Sequence, residues 1–502
     1  MKIKSIRYSF IAAGLLLLGS SCGEDFLTVE PKGLPLVDNY YKDESEAFSA
    51  LVAVYDIMGK QSKGFENMIT MLNAGSDDFY AGGGGPGDGA GIHAFDNYKL
   101  DKINMPRSYW GDFFQGIARA NILLAKLPDV DMSDAKKVRF GAEAKALRGY
   151  FYFELVRTFK NLPLILTPIS PAEGYKVTQV SPDAIYAQIE KDLIEAKAVL
   201  PNKIDVPTEG GRLSKGAVQA LLGKVYLYEG KNSLAAAEFA NVNGTPGGTS
   251  MYGYKLLTKF SDLWVISNKF NSEAIIEIMH TDKSNADWGF WGGGADEGNS
   301  VNIMVGPRGY ERKDLTLADY ISGWSFNPVT QSLYDALKGD PRFESTIFDL
   351  RALVAADKAK YAPGDQDTGY FLKKFMPLNS DTSTSGGATA LNYKQDTYAI
   401  RLADTYLMEA EALGGTGARA QALLDAVRAR VGLASVPVSL DAIANERRLE
   451  LAGEGHRWFD LVRTGKAATV LASSGFVAGK NEVWPIPQKD LENTQLVQNP
   501  NY

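Results

Sequence analysis

Hydrophobic positions along the chain follow two regimes. From Val138 to Lys160 the apolar residues Phe140, Ala144, Leu147, Phe151, Leu155 and Phe159 recur every three or four positions, which puts them on one face of a long buried helix. Ser181-Pro182 supplies an N-cap and a first-turn proline for a second helix. Ile185, Ile189, Leu193, Ala196 and Leu200 keep its step, and Pro201 ends it. Residues 213–229 (LSKGAVQALLGKVYLYE) predict a third, rich in small and aromatic side chains. Helical patterning dominates to about residue 240. It gives way over 241–396 to Gly, Asn, Asp, Ser and Trp in long loops, and returns at Tyr398–Leu413 and Ala418–Val431. A charged helix follows from Leu440, with Ser439 as its N-cap. The tail from Glu482 reads as extended, because Pro485 and Pro487 forbid helix.

The predicted fold class is mainly α: a tetratricopeptide-like helical scaffold with a loop-rich ligand-binding lobe and few short strands. Small-plus-aromatic pairs such as Ala146 to Tyr150 and Leu222 to Tyr226 suit such repeats. Their spacing is irregular, and an ordinary helical bundle is the alternative.

The amino terminus changes the picture. Lys2, Lys4 and Arg7 precede the ten-residue apolar run FIAAGLLLLG, Phe10 to Gly19, and small residues follow. That layout predicts a secretory signal peptide over residues 1–21, and ten apolar residues are too few to span a bilayer. No other stretch approaches eighteen. The net charge of −7 becomes −10 once the three basic residues of that segment are removed. An acidic chain lacks the basic footprint that nucleic acid requires. The lone cysteine, Cys22, excludes a disulfide and any site with two or more cysteines. It is either an incidental small residue or a point of covalent attachment. The small residues before it resemble a bacterial lipoprotein signal, which implies cleavage before Cys22 and lipidation of its thiol. Residues 22–40, with prolines, glycines and no helical period, read as a tether.

Catalytic chemistry finds little support. His93, His280 and His456 are too scattered for a metal-binding helix. Asp77-Asp78 is a candidate carboxylate pair for glycoside hydrolysis, but adjacent acids are common on loops. AGGGGPGDGAG, Ala81 to Gly91, lacks the Gly-Lys-Ser/Thr end of a phosphate loop and reads as a close-approach loop. Its flank Asp77, Asp78, Phe79 and Tyr80 offers ligand contacts. In the loop-rich middle, Trp288, Trp291, Tyr310 and Trp324 lie in polar, glycine-rich surroundings, with Arg308 among them. Exposed rings stack on the C–H face of a sugar while Arg, Asn and Asp side chains bind its hydroxyls. The same rings also serve to pin long loops to a core. Calcium is conceivable in this region, yet no DxDxDG spacing supports it, so no cofactor is expected.

NERRLELAGEGHRWFDLVRTG, Asn445 to Gly465, alternates acids and arginines that can pair along or between helices, with Trp458-Phe459 expected to be buried. This segment closely resembles a signature of the SusD/RagB family. VWPIPQKDLENTQLVQNPNY at the carboxyl end, AEAKALRGYFYFELVRTFKNLPLIL, IRLADTYLMEAEAL with VRARVGL, and GDPRF at Gly339–Phe343 also resemble it, in family order. The departures are Asn501, where glycine is usual, and Ala452-Gly453, where the family favours a small or apolar residue and then Phe.

The resemblance implies a non-enzymatic, lipid-anchored protein of the outer membrane facing the cell exterior. Such a protein captures oligosaccharides, or in some members peptides, and delivers them to a SusC-like TonB-dependent transporter. Gly-Glu-Asp after Cys22 resembles an export signal to the outer face. Two SusD-like regions are expected, 41–240 with tetratricopeptide-like helices and 241–502 with variable ligand loops (241–396) and returning helices. Family ligand sites fall on loops after the early helices and in the variable middle. By region, this fits Asp77–Tyr80 and Trp288–Trp324. A purely protein-binding helical scaffold is the alternative of a different class.

Overall fold

The computed structural model describes residues 40–284, 288 and 297–502. The signal, the tether with Cys22, and Trp291 lie outside them.

The stack is built from helices α1 (Glu44–Tyr55), α2 (Ser108–Lys126), α3 (Asp134–Phe159), α4 (Pro182–Val199), α5 (Lys215–Tyr228) and α6 (Asn232–Asn243). Helices α7 (Leu402–Ala412), α8 (Gly417–Arg430), α9 (Leu440–Glu450) and α10 (Arg457–Arg463) complete it. From α2 to α8 each helix packs on the next in chain order. The capping chemistry read from the sequence is present: Ser181 Oγ accepts from the Ala184 amide and Ser439 Oγ from that of Ala442. All six apolar positions of the α3 stripe are buried.

Helices α6 and α7 touch although about 160 residues separate them in sequence. The intervening chain is the loop-rich lobe, closed at its base by antiparallel strands Ala274–Ile278 (β1) and Thr397–Arg401 (β4). A smaller pair, Ile347–Asp349 (β2) with Tyr370–Leu372 (β3), lies inside it. The lobe has a core of its own, with Val301, Val305, Val329, Leu333 and Phe371 at its centre. Ile69, Phe79 and Ala452 reach into this core from the helical part.

Two expectations need correction. The helix read as starting at Tyr398 begins at Leu402, because Thr397–Arg401 pairs with β1 and is buried at every position. The charged carboxyl-terminal helix is two helices, broken at Leu451–His456. Gly453 sits there at φ 80°, and a Cβ on it would meet Leu372 Cδ1 at 2.5 Å. Asn73 Nδ2 donates to the Gly453 carbonyl at 2.9 Å.

The motif residues hold this architecture together. Arg342 of GDPRF is wholly buried and donates to Glu446 (2.6 Å) and Glu450 (3.0 Å) of α9, with Asp340 aligning the guanidinium. Arg401 bonds Glu273 and Glu454 at 2.9 Å and Glu450 at 2.6 Å, and Lys374 donates to Glu454 at 2.8 Å. The network therefore runs between elements and rivets the lobe to α9. Trp458 and Trp484 are buried with ring centroids 6.0 Å apart, and Phe95 packs edge to face on both, at 5.4 and 5.3 Å. Asn499, in the carboxyl-terminal QNPNY, clamps that cluster by donating to the Phe159 and Trp484 carbonyls.

Candidate functional site

Four segments meet at one face of the lobe. The glycine-rich loop runs antiparallel to Ser325–Pro328: Tyr80 N–H donates to Pro328 O at 3.1 Å, Asn327 N–H to Ala81 O at 3.1 Å and Gly83 N–H to Ser325 O at 2.8 Å. Gly82 is required there, at φ 72°, since a Cβ would lie 2.3 Å from Ser325 O. Asp365 N–H donates to Gly83 O at 2.9 Å, and Gln366 Oε1 accepts from Gly82 at 3.1 Å, which adds the 361–367 turn.

Arg308 ties the fourth segment in. Its backbone N–H donates to Ser325 Oγ at 3.0 Å, its Nε to Trp324 O at 3.1 Å and its Nη2 to Asp88 Oδ2 at 3.0 Å. Asp88 Oδ2 also accepts from Gly84 N–H at 2.9 Å. Both members of this ion pair stay open, each side chain 37% exposed. The Trp324 ring, half-buried, lies 5.8 Å from the Trp288 ring at an interplanar angle of 36°. Trp288 is 57% exposed and Tyr80 36%. Together these side chains offer two tilted aromatic faces next to a fixed guanidinium and carboxylate, which is chemistry suited to a polyhydroxylated ligand.

The other expected contacts are elsewhere. Asp77 receives Arg457 Nε at 2.7 Å and Nη2 at 2.8 Å, and Arg448 donates to Asp78 at 2.6 Å. Asp78, Phe79 and Tyr310 are buried, the last two in the lobe core. Their expected ligand role is therefore corrected: burial takes these three out of reach, and Asp77 is engaged by two arginines. Burial raises the Asp77 carboxyl, but the Arg457 hydrogen bond and charge outweigh it and hold the group below its ordinary range. Asp78 is pushed up by burial and then by the charge of Asp77. Asp88, Asp365 and Gln366 went unremarked in sequence. The Pro-Gly turn YAPGDQDTG was the available signal for the last two.

Two clefts of about 360 Å³ each are lined by other residues. One lies against Phe48, Val52 and Met279, the other against Arg107, Trp110 and Tyr175. No group of three His, Cys, Asp or Glu side chains able to hold a metal occurs among the described residues. No helix among them is long and apolar enough to cross a membrane.

Residues 272–502 match the SusD family profile, and residues 90–227 match one described as starch-binding, associating with outer membrane. A solved laminarin binding SusD-like protein is 62% identical, superposes with a TM-score of 0.91, and aligns over 92% of this chain and 100% of its own. The chain belongs to the SusD family. Two further matches are less similar in sequence. Surface glycan-binding protein A from Bacteroides thetaiotaomicron, solved in complex with laminarihexaose, is 26% identical with a TM-score of 0.81, over 92% of this chain and 100% of that one. SusD-like protein P25 of Formosa agariphila is 26% identical over 93% of this chain and 90% of its own length.

Proposed function

We propose that this SusD-family chain is a non-enzymatic binder that captures an oligosaccharide of the laminarin type at the cell surface and delivers it to a SusC-like TonB-dependent transporter. The observation that carries the saccharide reading is the Trp288–Trp324 ring pair beside the open Arg308–Asp88 ion pair. Tilted rings take the C–H faces of successive sugars in a twisted chain, and the ion pair offers a donor fork and an acceptor to hydroxyl groups. The laminarin class rests on the 62% identical relative. Trp291, outside the described residues, is proposed as a ligand contact on its sequence context alone.

Lipidation of Cys22 holds the protein on the outer face of the outer membrane, with residues 22–40 as its tether. Several acyl chains at about 0.8 kcal/mol per buried CH₂ give a durable anchor.

Calorimetric titration of the soluble protein from residue 23 onward tests the reading, with laminarihexaose, maltohexaose and a mixed peptide pool as ligands. Saturable binding of laminarihexaose, weakened in Trp288→Ala, is expected. Binding of the peptides alone would replace the saccharide reading with a peptide one.

A further inference from the structure

Arg308, Asp88 and Trp324 come from segments far apart in sequence, and the 361–367 turn spans them. At one end of the turn Ala362 N–H donates to Arg308 O at 2.8 Å, and at the other Asp365 N–H donates to Gly83 O at 2.9 Å. Between them Gly364 lies flush on the glycine-rich loop, where a Cβ would meet Gly83 O at 2.5 Å and Ser325 Cβ at 2.8 Å. Tyr361 Oη closes the turn by donating to Asp367 Oδ2 at 2.8 Å.

Gln366 adds a side-chain bracket. Its Oε1 accepts from Gly82 N–H at 3.1 Å while its Nε2 donates to Asp96 Oδ2 at 2.7 Å. Asp96 ends the short helix Ala90–Asp96, is buried, and accepts from Ala81 N–H at 3.2 Å through the same oxygen. Gly82 offers a donor and the Asp96 carboxylate an acceptor. A primary amide carries one group of each kind and serves both, which neither a carboxylate nor an apolar side chain can do. The bracket therefore ties the entry of the glycine-rich loop to the helix that follows it. Asp88, the partner of Arg308, lies on the chain between those two points.

The backbone here is strained. Gln366 has φ 52°, and Ser325 and Asn327 on the facing segment have φ 61° and 51°. A Cβ disfavours this region, so such residues persist only where surrounding bonds over-determine them. Ten non-glycine residues among the described ones adopt it, and three of them meet at this one face. Each of the three is held through its own side chain. Ser325 Oγ accepts from Arg308 N–H at 3.0 Å, Asn327 Nδ2 donates to Thr70 O at 3.2 Å and Tyr80 O at 3.3 Å, and Gln366 makes the bracket.

We propose that Gln366, on the saccharide reading of this face, is a positioning residue: its amide fixes the glycine-rich loop against the 361–367 turn and so sets Asp88 opposite Arg308, and Arg308 beside Trp324, before a sugar arrives. The open ion pair supplies little rigidity of its own, so its orientation has to come from the bonds behind it. A platform ordered in advance loses less entropy when the ligand binds.

The test compares the soluble parent with Gln366→Gly and Gln366→Glu. Glycine relieves the strained φ and removes both bonds. Glutamate keeps the length and the acceptor for Gly82 but has no donor for Asp96. In calorimetric titration, laminarihexaose affinity should fall on the order of tenfold in both variants, with the denaturant midpoint of Gln366→Gly unchanged. Parent-like affinity in Gln366→Gly would overturn the positioning role. So would a lowered midpoint with unchanged affinity, the result expected of a merely structural bond. Hydrogen exchange without ligand reads the bracket directly: the amides of 81–88 and 361–367 should exchange faster in both variants, and those of α3 at the parent rate. Parent-like exchange over 81–88 would overturn the bracket. A parent that fails to bind laminarihexaose would count against the saccharide reading, and exchange would still decide the bracket. Should one variant fail to fold, the other carries the same comparison.

Discussion

Two aspartate–arginine sites lie eleven residues apart in opposite surroundings. Asp77 and Asp78 are closed over by Arg448 and Arg457 from α9 and α10, with Asp78 wholly buried. Asp88 meets Arg308 on an open face, next to a tryptophan pair. The side chains are of the same kind and the distances are similar, so burial alone separates a rivet from the proposed recognition surface. A buried ion pair cannot lose one member cheaply, whereas an exposed one contributes about 0–1 kcal/mol and is available to exchange partners.

The largest effect should come from the buried side. Arg448→Ala strands Asp78 in the interior and should lower stability by about 3–5 kcal/mol in denaturant unfolding, with ligand affinity of the folded protein unchanged. A small loss there would erase the contrast. Acid should discriminate next. Burial holds His280 near pH 3 and His456 near pH 4, both below the ordinary histidine value. Unfolded histidines take up protons below about pH 6.5 that these two refuse, so stability falls as pH drops from 6.5 towards 4. Each contributes about tenfold per pH unit to the unfolding constant. Replacing His456 by Gln should remove one such unit from the slope.

The exposed side should respond in binding. Trp288→Ala is expected to weaken saccharide affinity about tenfold and leave the unfolding midpoint in place, because the ring is more than half exposed. Arg308→Ala should cost a few-fold in affinity and under about 1 kcal/mol in stability. Cys22→Ala should move the protein from the membrane fraction to the soluble one while leaving the affinity of the soluble domain as it was.

The helices were legible because their signals are local. The α3 stripe, the Ser181 and Ser439 caps and the buried Trp458-Phe459 pair each depend on neighbours within a few residues. The family resemblance carried the fold class further, on motifs whose residues turn out to be rivets: Arg342, Trp484 and Asn499. What escaped was long-range. Asp77 and Asp78 looked like loop acids because their arginines lie some 370 to 380 residues away. Tyr398–Arg401 reads as helical from sequence because its partner strand is more than a hundred residues upstream. Of the proposed contacts, the structure brings Arg308, Trp288 and Trp324 together and seats Phe79 and Tyr310 in a core that periodicity does not reveal.

The most direct test of the central claim is calorimetric titration of laminarihexaose into three soluble proteins: the parent, Trp288→Ala/Trp324→Ala, and Asp77→Asn. The account predicts saturable binding by the parent, none by the double variant, and parent-like affinity in Asp77→Asn. Equal affinity in the parent and the double variant, or loss confined to Asp77→Asn, would contradict it.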